Sequence, residues 1–89
     1  MKTQQPITVY TTDWCPYCVR AKMLLKKKGW DFQEINVEGD AEKRAWLVQT
    51  TGRRTVPQIF IGDTPVGGFD DINALDRRGE LERLVMTGG

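Results

Sequence analysis

Both cysteines of the 89-residue chain lie in one segment, residues 15–18 (CPYC), where a strand-like stretch meets a helix-like one. Ile7 and Val9 alternate with polar neighbours ahead of it, which predicts a short strand over residues 6–10. Pro16 suits the first position of a helix, because the N–H that proline lacks would have no partner there. The chain is therefore predicted to build on a strand–loop–helix unit with the cysteines at the helix N-terminus.

Length and charge narrow the function classes. A chain of 89 residues holds one core, so we expect a single domain over residues 1–89. A net charge of +1 favours neither nucleic acid nor an anionic membrane surface. No apolar run approaches the roughly 20 residues of a spanning helix, and residues 1–6 lack the apolar region of a signal peptide. We expect a cytoplasmic protein, in which a lasting structural disulfide is disfavoured.

Three further strands are predicted from short apolar runs bounded by glycine, proline and aspartate. They cover residues 32–37, Gln58–Ile61 and Thr64–Gly67. Gly62 and Asp63 suit a hairpin turn between the last two strands. Pro65 places the last strand at a sheet edge, because proline cannot donate a hydrogen bond to a neighbouring strand.

Helices are predicted where apolar residues recur every three or four positions. The first covers residues 16–28, and its buried stripe consists of Val19, Met23, Leu24 and Leu25. The second follows an Asp40 cap and runs to about residue 51, with a buried stripe of Ala41, Ala45 and Val48 and with Trp46 and Leu47 packing beside it. The third starts at Asp70 or Asp71 and runs through Leu75, before a short last turn with Leu81, Leu84 and Val85. Residues 86–89 are expected to fray.

The predicted order is β-α-β-α-β-β-α, an α/β fold. The first two strands need a crossover, so they should be parallel and connected in the right-handed sense. The last two strands are close enough for an antiparallel hairpin. We therefore expect a four-stranded mixed sheet with helices on both faces.

The cysteine pair has three candidate chemistries. A structural zinc site takes four Cys or His ligands, and the chain has two cysteines and no histidine, so one chain cannot build it. A structural disulfide would close a loop of about four residues, where the entropic gain is smallest. A redox couple fits best, because a helix N-terminus favours thiolate and lowers the pKa of C-x-x-C cysteines from about 8.5 to roughly 3.5–7.5. Cys15 is then the attacking thiolate, and Cys18 lies one turn further along the helix.

With the dithiol placed, the chain resembles the glutaredoxins of the dithiol CPYC class, which have the thioredoxin-like fold. The resemblance covers nearly the whole chain and rests on three blocks: residues 15–18 (CPYC), 52–61 (GRRTVPQIFI) and 67–71 (GGFDD). It implies a glutathione-dependent thiol–disulfide oxidoreductase that reduces protein disulfides and glutathione mixed disulfides. Catalysis is assigned to Cys15 and Cys18, with glutathione as co-substrate and with neither a metal nor a permanently bound cofactor.

The resemblance also implies a glutathione-binding groove. Pro57 is expected to be cis and to face the cysteines, so that the backbone of Thr55 and Val56 pairs with a substrate as an added strand would. The N–H groups of Phe69 and Asp70, after Gly68, would hold the γ-glutamyl carboxylate. The remaining implied contacts are a wall beside the sulfur from Tyr17 and a glycine-carboxylate contact from Arg44.

Two positions depart from the family pattern. Many glutaredoxins have a lysine three residues before the first cysteine, and this chain has Thr12, which removes one stabiliser of the thiolate and of bound glutathione. Trp14, directly before Cys15, is typical of thioredoxins, where it contacts protein substrates; it either favours protein disulfides or packs over the loop. We expect a monomer whose partners are glutathione and disulfide-containing or glutathionylated proteins, not nucleic acid or membrane.

Two alternatives to the glutathione-dependent enzyme remain. The first is a glutaredoxin-like electron donor that is reduced by thioredoxin reductase, for example for ribonucleotide reductase. The second is a dimer that binds a [2Fe–2S] cluster through one cysteine of each chain and glutathione. Pro16 argues against the second, because cluster-binding members of the family usually have Gly or Ser at that position.

Overall fold

The strand–loop–helix unit around the cysteines is present as predicted. The computed structural model describes residues 4–86, and its elements, in chain order, are β1 (Ile7–Thr11), α1 (Pro16–Lys27), β2 (Gln33–Asn36), α2 (Ala41–Thr51), β3 (Gln58–Ile61), β4 (Thr64–Gly67), α3 (Phe69–Arg77) and α4 (Glu80–Val85). The strands and the two long helices begin and end within a residue of their predicted bounds. The predicted last turn is a short helix, α4. Of the predicted frayed end, residues 87–89 lie outside the described residues.

The strands form one four-stranded mixed sheet in the order β2-β1-β3-β4. β1 and β2 are parallel, whereas β1 with β3 and β3 with β4 are antiparallel. The prediction of a parallel first pair, a closing hairpin and an edge strand that contains Pro65 is confirmed. The C-terminal end of β1 lies beside the N-terminal end of β3, where Tyr10 pairs with Gln58. The loop that follows β1 therefore lies next to the loop that precedes β3.

Alternation along the central strands divides the core into two layers. Ile7 and Val9 of β1, with Ile59 and Ile61 of β3, pack against α1, α3 and α4. Tyr10 and Phe60, in the opposite phase of the alternation, face the other side of the sheet and pack with residues of β2 and α2. Helices therefore cover both faces of the sheet, as the sequence predicted.

The predicted buried stripe of α1 is partly wrong. Leu25 is buried and Leu24 is half-buried against the core, but Val19 and Met23 are 50% and 63% exposed. The buried positions before Leu25 are Cys18 and Ala21 instead. Their small side chains occupy the face of the helix that lies on the sheet, and the larger apolar residues are left on the solvent face.

The predicted buried stripe of α2 is also wrong. Ala41 and Ala45 are exposed and Val48 is half-buried, whereas Leu47 is 3% exposed. Trp46 lies over the aromatic rings of the sheet, with its ring centroid 5.6 Å from that of Tyr10 and 5.8 Å from that of Phe60. The expectation that Trp46 and Leu47 are packing residues is confirmed. Because these long side chains reach the sheet, the short alanines remain on an open flank of the helix.

The third helix begins earlier than predicted. Gly68 is its N-cap and Phe69 its first residue, and it runs to Arg77 instead of Leu75. The Asp71 carboxylate accepts a hydrogen bond from the Gly68 N–H at 2.9 Å, so the aspartate that the sequence placed at the helix start caps it from inside the first turn. Within residues 4–86, none of the helices combines the length and the apolar character that crossing a membrane requires.

The corrected face of α1 gives a stability prediction. We expect Leu25→Ala to lower the free energy of unfolding by about 2–5 kcal/mol, because it leaves a cavity in a fully buried site. Met23→Ala, on the solvent face two residues earlier, should change it by less than about 0.5 kcal/mol. Urea unfolding of both variants checks this, and equal losses would contradict the assignment of the faces.

Candidate active site

Cys15 is the N-cap of α1. Its backbone is extended, and its Sγ accepts a hydrogen bond from the Cys18 N–H at 3.1 Å, while its carbonyl accepts from the Val19 N–H. A sulfur at this position lies at the positive end of the helix dipole and satisfies a backbone donor that would otherwise lack a partner. The same interactions favour the thiolate form of a reduced cysteine.

The two cysteines are joined by a disulfide bond. Cys15 is partly exposed, whereas Cys18, one turn into the helix, is 2% exposed. An incoming reagent therefore reaches Cys15 first.

The loop before β3 lies against the cysteines. The Val56–Pro57 peptide bond is cis, as predicted. The carbonyl oxygen of Val56 is 3.7 Å from the Sγ of Cys15. Thr55 is exposed and Val56 half-buried, so this short stretch of backbone is open to solvent directly beside the reactive sulfur.

Gln58 fixes that stretch, a role that the sequence analysis missed. Its side chain is 1% exposed, and its Nε2 donates to the Thr55 carbonyl at 2.9 Å and to the Thr55 hydroxyl at 3.4 Å. A signal was available in the sequence, because strand alternation places Gln58 in phase with the buried Phe60. A polar side chain at a buried position requires a nearby hydrogen-bond partner.

A cavity of about 280 Å³ lies beside the disulfide and brings most of the predicted groove together. Its lining includes Tyr17, Thr55, Val56, Pro57, Gly68, Phe69 and Asp70. The ring of Tyr17 is half-exposed, lies 6.4 Å from the Phe69 ring and is flanked by the Arg20 guanidinium at 5.3 Å. Arg44 is not among these residues; it lines a neighbouring groove that shares Thr55 and Val56 with the cavity.

Two glycines allow close contacts at the start of α3, one with the Asp71 side chain and one with the loop of Pro57. Gly67 has φ +110°, and a Cβ there would overlap the Asp71 carboxylate. A Cβ on Gly68 would come within 3.2 Å of the Pro57 carbonyl oxygen. Position 67 therefore requires glycine, whereas a side chain at position 68 would only crowd the Pro57 carbonyl beside the N-terminus of α3.

An ion pair that the sequence analysis did not predict connects the two sides of the cavity. Arg53 Nη1 donates to Asp71 Oδ2 at 2.6 Å, and the same oxygen accepts the Gly68 N–H. The hydrogen bond from Arg53, with that from Gly68, lowers the pKa of Asp71, and the pair raises the pKa of Arg53. Asp71 thus holds the loop before Pro57 against the N-terminus of α3.

The positions that depart from the family pattern lie in the loop before Cys15. Asp13 fixes this loop, because its N–H donates to Glu38 Oε1 at 3.1 Å and its carboxylate accepts from Asn36 at 2.9 Å. Trp14 is 99% exposed with φ +54°, so it does not pack over the loop. Thr12 is half-buried.

The comparisons with known proteins agree with this geometry. The family model described as Glutaredoxin matches residues 7–66. The chain belongs to the glutaredoxin family. A glutaredoxin of Pseudomonas aeruginosa is 58% identical over 82 residues, 92% of this chain and 98% of that protein. Glutaredoxin 3 of Escherichia coli strain K12 is 51% identical over 79 residues, 89% of this chain and 95% of that protein.

Solved glutaredoxins share the fold. The solution structure from Brucella melitensis superposes with a TM-score of 0.85 at 46% identity and covers 97% of this chain and 94% of its own. The crystal structure of a buckwheat glutaredoxin–glutathione complex gives a TM-score of 0.84 at 34% identity and covers 91% of this chain and 76% of its own. The chain is a thioredoxin-like glutaredoxin with a redox-active cysteine pair, and its activity is that of a thiol–disulfide oxidoreductase.

Among the described residues, no group of three or more His, Cys, Asp or Glu side chains is arranged to hold a metal ion. The structure brings three features of this glutaredoxin together: the two reactive sulfurs, the backbone of Thr55 and Val56, and the N-terminus of α3.

The Arg53–Asp71 pair gives a pH prediction for this glutaredoxin. Because the folded-state pKa of Asp71 is lowered, its stabilisation is complete above the unfolded-state pKa of about 3.9 and is lost as the pH falls through the folded-state value. Asp71→Asn should therefore be less stable than the wild type at pH 6, and the difference should shrink towards pH 2.

Urea unfolding at several pH values measures this difference. Asp63→Asn, in the turn between β3 and β4, is the matched control and should show no such convergence. A difference between wild type and Asp71→Asn that stays constant from pH 6 to pH 2 would contradict the assigned role of the carboxylate.

Proposed function

We propose that this glutaredoxin uses glutathione as its electron donor and reduces glutathione mixed disulfides and protein disulfides. The observation that carries the proposal is the cavity beside Cys15, which unites an open strand-like backbone with a helix N-terminus. The first feature suits the cysteine of a peptide, and the second suits a carboxylate a short distance away. Glutathione has both groups, and the buckwheat relative was solved in complex with it.

Each part of glutathione has a place in this arrangement. Its cysteine pairs with the backbone of Thr55 and Val56, which puts its sulfur next to Cys15. Its γ-glutamyl carboxylate accepts from the N–H groups of Phe69 and Asp70, and Gly68 leaves room for this approach. Tyr17 and Pro57 wall the groove beside the sulfur.

The glycine end of glutathione then points towards the neighbouring groove, where Arg44 lies. Because the chain has Thr12 where many glutaredoxins have a lysine, Arg44 is the side chain that we assign to the glycine carboxylate. This assignment is consistent with its position on α2, close to Thr55 and Val56 across the groove.

The reaction with a glutathione mixed disulfide is two thiol–disulfide exchanges. The Cys15 thiolate attacks the glutathione sulfur, a Cys15–glutathione disulfide forms, and the substrate leaves as a thiolate that takes up a proton. A second glutathione thiolate then attacks the bound glutathione sulfur and releases glutathione disulfide and the Cys15 thiolate. Glutaredoxin potentials near −200 to −230 mV lie close to that of the glutathione couple, so both directions are accessible.

The reaction with a protein disulfide also uses Cys18. Cys15 forms a mixed disulfide with one substrate sulfur, and the other leaves as a thiol. Cys18 loses its proton and attacks Cys15, which releases the second substrate thiol and closes the Cys15–Cys18 disulfide seen in the structure. Two glutathiones then supply the two electrons that reopen it.

The cysteine variants test these roles. Cys15→Ser should reduce turnover of every substrate to background, because the other cysteine of the chain, Cys18, is buried. Cys18→Ser should retain turnover of a small glutathione mixed disulfide and lose reduction of a protein disulfide. NADPH oxidation coupled through glutathione reductase measures both reactions. Equal loss in the two variants, for both substrates, would refute the division of roles.

A further inference from the structure

A groove of about 350 Å³ lies on the far side of Thr55 and Val56 from the cavity at α3. We call it the α2 groove. Ala41, Ala45 and Val48 line it from the open flank of α2, and Arg44 and Arg54 contribute cationic side chains. Because it shares Thr55 and Val56 with the active-site cavity, the α2 groove continues the same surface.

The charge of the α2 groove is uncompensated. Arg53, which also lines it, is paired with Asp71, but neither Arg44 nor Arg54 forms an ion pair with any side chain in residues 4–86. No aspartate or glutamate belongs to the lining. Two unpaired guanidinium groups beside an apolar wall are complementary to a ligand with carboxylates and some apolar surface.

Glutathione leaves most of the α2 groove empty in the orientation proposed above. Its cysteine lies at Thr55 and Val56 and its glutamyl end at α3, so only a glycine extends towards Arg44. Glycine has no side chain to contact Ala41, Ala45 or Val48. The groove volume of about 350 Å³ falls within the range of pockets that hold drug-sized ligands, which leaves room for more than a glycine. A polypeptide that continues beyond its cysteine would supply the missing groups.

We infer that the α2 groove binds the segment that follows the reactive cysteine of a protein substrate and selects for aspartate or glutamate in it. The inference rests on the proposed function, because it takes its chain direction from the placement of the γ-glutamyl end at α3. The chemistry is the protein-disulfide reaction already described. While the substrate is held as a mixed disulfide with Cys15, the residues after its reactive cysteine lie along α2. Their carboxylates then face Arg54 and Arg44.

Peptide disulfides of matched shape test this selectivity. One homodimer carries two aspartates directly after its cysteine, the second carries two asparagines there, and a third carries the aspartates before the cysteine. The assay contains glutathione, glutathione reductase and NADPH. Wild-type kcat/KM should be about two- to fivefold higher for the peptide with aspartates after its cysteine than for the asparagine peptide, which is the effect expected of a partly exposed charge pair. The third peptide should gain no such advantage.

Variants of the α2 groove locate the effect. Arg54→Ala should remove most of the preference for aspartate, and Ala45→Glu should weaken it, because a carboxylate on the exposed flank of α2 offsets one of the two guanidinium charges. Arg77→Ala, which removes the same charge at the C-terminal end of α3, should keep the wild-type preference. Turnover of a small glutathione mixed disulfide should be unchanged in Arg54→Ala and Arg77→Ala.

Two separate failures can be distinguished. If wild-type protein does not turn over the small glutathione mixed disulfide, the proposed function is wrong. If it does, the inference is overturned by equal kcat/KM for the aspartate and asparagine peptides. A preference that persists in Arg54→Ala, or that is the same on either side of the cysteine, would also overturn it, because the preference would then come from net charge.

Discussion

The hydrogen bond from the Cys18 N–H to the Cys15 sulfur is the interaction on which the active site depends. It makes a cysteine the cap of α1, so the same contact that starts the helix also favours the negatively charged form of the sulfur. Pro16 supports this arrangement because it needs no hydrogen-bond acceptor for its own nitrogen at the first helical position. The fold therefore positions a nucleophile by the ordinary requirements of a helix N-terminus. The buried core beneath it, with Cys18 and Ala21 against the sheet, prevents the helix from shifting away.

A second set of constraints brings the substrate surface to that sulfur. β3 lies between β1 and β4 in the sheet, so the loop before β3 and the start of α3 both reach the end of β1 that leads to Cys15. Gln58 fixes the loop through its hydrogen bonds to Thr55, and Asp71 fixes it through Arg53. Gly68 allows the start of α3 to approach the Pro57 carbonyl. The Arg53–Asp71 pair contributes modestly by itself, because both side chains are partly exposed. Together these contacts leave one open face of backbone beside Cys15.

The sequence predicted the sheet and the reactive pair but not the supporting contacts. Short apolar runs predicted the strands, the crossover predicted the parallel first pair, and the short turn predicted the closing hairpin. The antiparallel pairing of β1 with β3 was not predicted. Helix faces were harder, because the residues that α1 buries are small ones such as Ala21, while Val19 and Met23 are apolar and exposed. The side of α2 was misjudged in the opposite way, because the large Leu47 is buried and the small Ala45, which was expected in the buried stripe, is exposed. The Arg53–Asp71 pair joins residues 18 positions apart, and many surface charges could have paired equally well on sequence grounds.

The measurement that tests the central claim most directly compares two electron donors for the same glutaredoxin. One assay contains glutathione, glutathione reductase and NADPH with a small glutathione mixed disulfide as substrate. The other contains thioredoxin reductase and NADPH with an oxidised protein substrate and no glutathione. We expect NADPH oxidation in the first assay, which would also show that Thr12 is compatible with glutathione binding. Activity in the second assay alone would contradict the account, because the backbone of Thr55 and Val56 and the start of α3 would then serve a protein partner and not glutathione.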